Sequence, residues 1–112
     1  MPTVNIYYTN KKSMRKLSTL AAKLKPFVAK ELTCGNISLK PNEVSVRLIP
    51  SEGRAMIGDV EIDVTAHAFA ERVSKQDKIC LNIQKFVKEN APSLGSVYVW
   101  LQLCELGHSW KD

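Results

Sequence analysis

The sequence has no CxxC pair and only two histidines, His67 and His108, far apart in the chain. Zinc sites draw their ligands from closely spaced pairs, so this spacing argues against one. Three cysteines, Cys34, Cys80 and Cys104, are too few, too widely spaced and odd in number for a disulfide framework. They read as reduced, mostly buried thiols. No apolar run approaches a membrane span, and no hydrophobic segment follows a basic start. A cytoplasmic protein without a membrane partner is expected. There is also no basic tail. Sixteen Lys and Arg against eleven Asp and Glu give +5, but they are spread along the chain. That pattern does not indicate a nucleic-acid partner. A moderate positive field does favour small anions, carboxylates among them.

What is present is 112 residues, 45% hydrophobic and 24% charged. This is the composition of a soluble globule and the length of one domain, 1–112. A chain of this size buries a modest core, and many such chains oligomerise.

The chain opens MPTVNIYYTN. Val4, Ile6 and Tyr8 alternate with Thr3, Asn5 and Tyr7, which predicts a strand over 2–8. Ser13 is placed to cap a helix in which Met14, Leu17, Ala21, Leu24 and Val28 share a face. Pro26 should kink that helix or start a second segment, and Cys34-Gly35-Asn36 should end it. In EVSVRLIP, Val44, Val46 and Leu48 alternate with Ser45, Arg47 and Ile49. SEGRAMIGD is a connection. VEIDVTAHAF then alternates over 60–69, with Val60, Ile62, Val64, Ala66 and Ala68 on one face and Glu61, Asp63, Thr65, His67 and Phe69 on the other. A second helix is expected from about Ser74, a candidate cap, to Asn90, with Ile79, Ile83, Phe86 and Val87 as its stripe. The last strand, SVYVWLQLCEL, is apolar on both faces: Val97, Val99, Leu101 and Leu103 on one, Tyr98, Trp100 and Cys104 on the other. Two helices cover one face of such a sheet, so another subunit is expected over the second.

The order is β-α-β twice, each unit about fifty residues. An α+β fold follows: two β-α-β pseudo-repeats forming a four-stranded mixed sheet with two helices on one face. An RNA-recognition module has the same order. It stacks bases on sheet aromatics, whereas Glu61 and Asp63 would set two carboxylates on that platform and repel a phosphate chain.

The sequence resembles the tautomerase superfamily from Pro2 through Leu106. The similarity is to its longer members, the macrophage migration inhibitory factor group and the 5-carboxymethyl-2-hydroxymuconate isomerase group. It is carried by Pro2 ahead of a strand, by KPNEVSVRLIP, by VTAHAFAERVSK and by SVYVWLQLCELG. Pro26 sits where the isomerase group has an Asn-Pro inside its first helix. The resemblance implies a homotrimer with helices outside and sheets inside. It implies a cofactor-independent tautomerase or isomerase, with neither metal nor organic cofactor, acting on a small carboxylate-bearing substrate. Pro2, exposed as the N-terminus once Met1 is removed, would be the general base in keto–enol tautomerisation or double-bond migration. Lys40 or Arg72 would hold the carboxylate, and Tyr98, Phe69 and Trp100 would line the pocket. Trp100 stands where the first group has an asparagine.

Each residue has a plainer reading. Pro2 can simply open a strand. Lys40 and Arg72 can be solvated cations, and Tyr98 can be packing. Arg47 and Arg54 are further carboxylate candidates, and His67 reads as structural. A trimeric binding or interaction protein that keeps the fold without turnover is the alternative to an enzyme.

Overall fold

A computed structural model describes residues 2–9, 13–35, 38–52 and 56–105. Met1, Asn36, Arg54, Leu106 and His108, which figure in the reading above, lie outside the described residues. The described elements are β1 (Thr3–Tyr8), α1 (Met14–Leu32), a 3-10 turn (Pro41–Glu43), β2 (Ser45–Pro50), β3 (Val60–His67), α2 (Ala70–Ser74), α3 (Gln76–Asn90), a second 3-10 turn (Pro92–Leu94) and β4 (Val97–Cys104).

The strands form one sheet in the order β2-β1-β3-β4. β1 lies parallel to β2 and β3 parallel to β4, while β1 and β3 meet antiparallel at the centre. Each half is thus a β-α-β unit, and the two halves make the mixed sheet that the alternation predicts. Val4, Ile6 and Tyr8 of β1 and Val60, Ile62, Val64 and Ala66 of β3 are buried on one face. Against them pack Leu17, Leu20, Leu24 and Val28 of α1 and Ile79, Ile83 and Val87 of α3. Burying each large aliphatic side chain stabilises the fold by roughly 1.5–3 kcal/mol, so this two-layer contact holds the sheet flat against the helices.

Several local expectations change. α1 continues through Pro26 to Leu32, with no second segment. Pro26 and Ala22 are both exposed, so the carbonyl that loses its donor faces water. Beyond the proline, Val28, Ala29 and Leu32 are buried, and the Phe27 and Phe86 rings pack with centroids 4.2 Å apart. That packing carries the helix on. Ser13 precedes α1 but makes no side-chain cap bond. The second helix is two helices, broken at Lys75 (φ −113°, ψ 11°). Ser74 is therefore no cap. It ends α2, and its hydroxyl donates back to the Glu71 carbonyl at 2.8 Å.

β3 stops at His67, so Ala68 is exposed and Phe69 leaves the strand face to occupy the cap position of α2 (φ −84°, ψ 145°). β2 begins only at Ser45, because residues 41–43 are wound into the turn. The thiols are not mostly buried either. Cys34 is buried, Cys80 half-buried and Cys104 exposed. Burial pushes the Cys80 thiol up, and Asp77 adds to this against a backbone hydrogen bond from Leu101. Cys104 is exposed because it points from the uncovered side of β4.

Among the described residues, no helix is long and apolar enough to cross a membrane.

Candidate functional site

One end of the sheet is where β1 and β2 begin and β3 ends. Pro2 sits there, buried, directly before central strand β1. Its register neighbour across β3 is Ala66, one residue beyond the Thr3–Thr65 pair. On the other side, the Ser45 N–H donates to the Pro2 carbonyl at 3.1 Å. That bond is the first rung of the parallel β1–β2 ladder, and it fixes where the proline ring can lie.

Lys40 immediately precedes the turn that leads into β2. Its own N–H donates to Glu43 Oε1 at 3.1 Å, and Glu43 N–H returns a bond to the Lys40 carbonyl at 2.9 Å. This reciprocal pair stiffens the entry to the turn. The Lys40 side chain itself is left exposed. The sequence therefore brings a basic side chain and the buried proline to the heads of two adjacent strands.

Just past the end of β3, three side chains stack. The His67 and Phe69 rings lie 4.6 Å apart, and the Arg72 Cζ is 4.8 Å from the Phe69 ring centroid. Aromatic pairing and a cation over a ring both stabilise such a stack. Arg72 is only 3% exposed. Its Nε donates to the Leu32 carbonyl at 2.9 Å and its Nη1 to the His67 carbonyl at 3.0 Å. One guanidinium thus satisfies the last carbonyl of α1, which the helix leaves unpaired, and adds a second bond to the last carbonyl of β3, which also accepts from the Phe69 N–H at 3.0 Å. The helix dipole at the α1 C-terminus favours the same cation. Arg72 lines a cavity of about 210 Å³ on the helix layer, together with Lys30, Lys75 and Lys78.

Tyr98 and Trp100 lie elsewhere. They project from the uncovered face of edge strand β4, 41% and 45% exposed. Tyr98 is in register with Glu61 and Trp100 with Asp63. Glu61 is five residues before Ala66 along β3, which is roughly 16 Å at strand rise. Within one chain, Tyr98 is therefore near the opposite end of the sheet from Pro2. Its position is set by the clamp that starts β3 and β4. Asp59 Oδ2 accepts from the Ser96 N–H at 2.9 Å and the Ser96 hydroxyl at 3.0 Å. The Ser96 N–H holds the Asp59 carboxyl below its ordinary range, with the hydroxyl adding to it.

Arg47 is exposed on β2, with its Nη1 3.5 Å from Asn5 Oδ1. It stands on an edge strand with no other candidate beside it. Sequence reasoning missed the stack at 67–72 and the carbonyls that Arg72 serves. The only local signal was the spacing of Phe69 and Arg72, three apart on a helical turn.

No family model matches this chain, and no curated protein matches it. Solved structures do. A macrophage migration inhibitory factor-like protein from Entamoeba histolytica is 14% identical over 96% of this chain and 95% of that one, with a TM-score of 0.64. A member of the cis-3-chloroacrylic acid dehalogenase family is 11% identical over 92% and 75%, with a TM-score of 0.65. A fused wild-type 4-OT asymmetric trimer is 13% identical over 97% and 94%, with a TM-score of 0.69. The fold that the resemblance to the tautomerase superfamily implies is the fold of this chain.

Proposed function

We propose that this protein is a cofactor-independent tautomerase or isomerase whose general base is the nitrogen of Pro2, freed by removal of Met1. The observation that carries the reading is the place of Pro2: buried, pinned through its carbonyl at the head of a central strand, and next to the turn that presents Lys40. A buried amine loses basicity, since desolvation and a nearby cation both disfavour its charged form. The ring also aims the nitrogen without rotamer freedom. An unprotonated Pro2 would take a proton from the enol hydroxyl or the carbon of an enolisable or unsaturated keto acid. It would return that proton elsewhere on the same substrate. Lys40 is the better carboxylate holder of the two cations, because its ammonium is free to reach a ligand while Arg72 is engaged with two carbonyls. Charge that develops on the enolate would strengthen the Lys40 contact. Phe69 would form an apolar wall.

Within one chain Tyr98 is near the far end of the sheet and Trp100, opposite Asp63, is midway along it, so the two aromatics join this pocket if a second copy supplies them. The reading therefore carries an assembly with it. The similar solved structures include fused 4-OT trimers, and the uncovered aromatic face of β4 gives a reason to associate. Sedimentation equilibrium is expected to give three times the chain mass. A monomer at all concentrations would overturn the shared pocket. The activity test is direct: the purified protein should accelerate ketonisation of a simple enol keto acid over buffer. No acceleration across a panel of such acids would leave a binding scaffold as the better account.

A further inference from the structure

A second cleft lies away from that pocket. It has a volume of about 630 Å³ and sits between the first half of α1 and the turn Pro92–Leu94. α1 starts after β1 has ended, and the 92–94 turn leads into β4. The cleft is therefore at the opposite end of the molecule from Pro2, on the helix layer.

Its chemistry is one-sided. Arg15, Lys16 and Lys23 line it from α1, and their spacing puts them with Thr19 along one side of the helix. Among the described residues that line it there is no carboxylate. The ion pair among the described residues is Lys75–Glu71, elsewhere on the surface, so none of the three cations is neutralised there. α1 also has no acidic residue in its first turn, which leaves the positive end of its dipole uncompensated. Lys16 is not a loose surface lysine: its ammonium donates to Ser93 Oγ at 2.7 Å, across the cleft. That bond occupies the Ser93 oxygen as an acceptor and leaves its hydroxyl proton available to a ligand. The floor is apolar, made by Leu20, Ala91 and Pro92, with Leu20 and Ala91 buried.

We propose that this cleft binds a small organic anion, an acidic head group on a flat apolar body. Three cations and a hydroxyl would hold the head, and the apolar floor would take the body. The volume falls within the range of small-molecule sites, roughly 300–1,000 Å³, and exceeds what a bare inorganic anion fills. A polyanion fits less well. Lys23 is eight residues from Arg15, about 12 Å along the helix, which is the span of one small molecule rather than a track for a backbone. The site is independent of Pro2 and of any turnover there.

The test is an amide NMR titration of the full protein with 1-naphthyl phosphate, 1-naphthoate, neutral 1-naphthol and inorganic phosphate. Saturable shifts confined to residues 15–23 and 90–94 are expected with both naphthyl anions. Naphthol and inorganic phosphate should each bind at least tenfold more weakly. A stronger response to the phosphate ester would assign the head group as phosphate, and equal responses would assign a carboxylate as sufficient. Arg15→Glu and Lys23→Glu change exposed side chains, so both variants should fold, and the spectra themselves will report it. Each should weaken the naphthyl anions at least tenfold, and Lys23→Gln should weaken them less than Lys23→Glu. Shifts scattered over the surface, or unchanged affinity in both glutamate variants, would overturn the proposal.

Discussion

A lysine inserted between Met1 and Pro2, so that the methionine is retained and the proline nitrogen becomes an amide, is expected to abolish the chemistry while sparing the fold. An amide nitrogen has no lone pair to take a proton. General-base catalysis contributes roughly 10²–10⁴-fold, and turnover of an enolisable keto acid should fall by that order. Pro2→Gly should fall less far, because it keeps a free amine but makes it primary and flexible. In both proteins the Ser45 N–H still finds a carbonyl at position 2, so the β1–β2 ladder begins as before. Initial rates and thermal denaturation, measured on the same samples with intact mass confirmed, check this. An unchanged rate in the inserted protein would make Pro2 a mere strand opener.

Arg72→Met is the second large effect, and it falls on stability rather than on substrate affinity. The guanidinium holds the Leu32 and His67 carbonyls. A hydrogen bond to a charged group is worth about 1.5–3 kcal/mol, so losing two of them, with the Leu32 carbonyl left bare and the His67 carbonyl keeping only the Phe69 N–H, should cost about 3 kcal/mol or more. For a chain of this size that is a fall in Tm of roughly 10 °C or more. Arg72→Lys should recover only part of it, because one ammonium lacks the planar fork that reaches two carbonyls. Had Arg72 been the carboxylate holder instead, Arg72→Met would raise KM with Tm little changed. Denaturation curves and KM on the same variant separate the two.

Much of this architecture could be read from local pattern. Alternation in β1 and β3 and the stripes of α1 and α3 are short-range signals, and each identifies a buried face without knowledge of its partner. The place of Pro2 at the head of β1 was legible for the same reason, since it follows from the alternation that starts at Thr3. The break at Lys75 was not legible, because no glycine or proline marks it. Arg72 read as a carboxylate holder or a solvated cation, because its two acceptors come from residues 5 and 40 positions away and only tertiary structure brings them together. Tyr98 and Trp100 were grouped with Pro2 on resemblance, but strand register puts Tyr98 near the other end of the sheet of one chain and Trp100 midway along it. In sequence, Arg15, Lys16 and Lys23 are only basic residues off the apolar stripe of α1, and residues 91–93 close against them only in the fold.

The central claim is that Pro2 carries a free nitrogen whose basicity is lowered by its surroundings. ¹⁵N NMR of proline-labelled protein measures this directly by following the Pro2 nitrogen across pH. An ordinary α-amine titrates near 8 and a secondary amine higher. The account predicts a single titration below about 8, with turnover rising through the same pH, because the neutral base forms as pH climbs past a depressed pKa. A nitrogen that does not titrate, or one that titrates at or above the ordinary value, would contradict it.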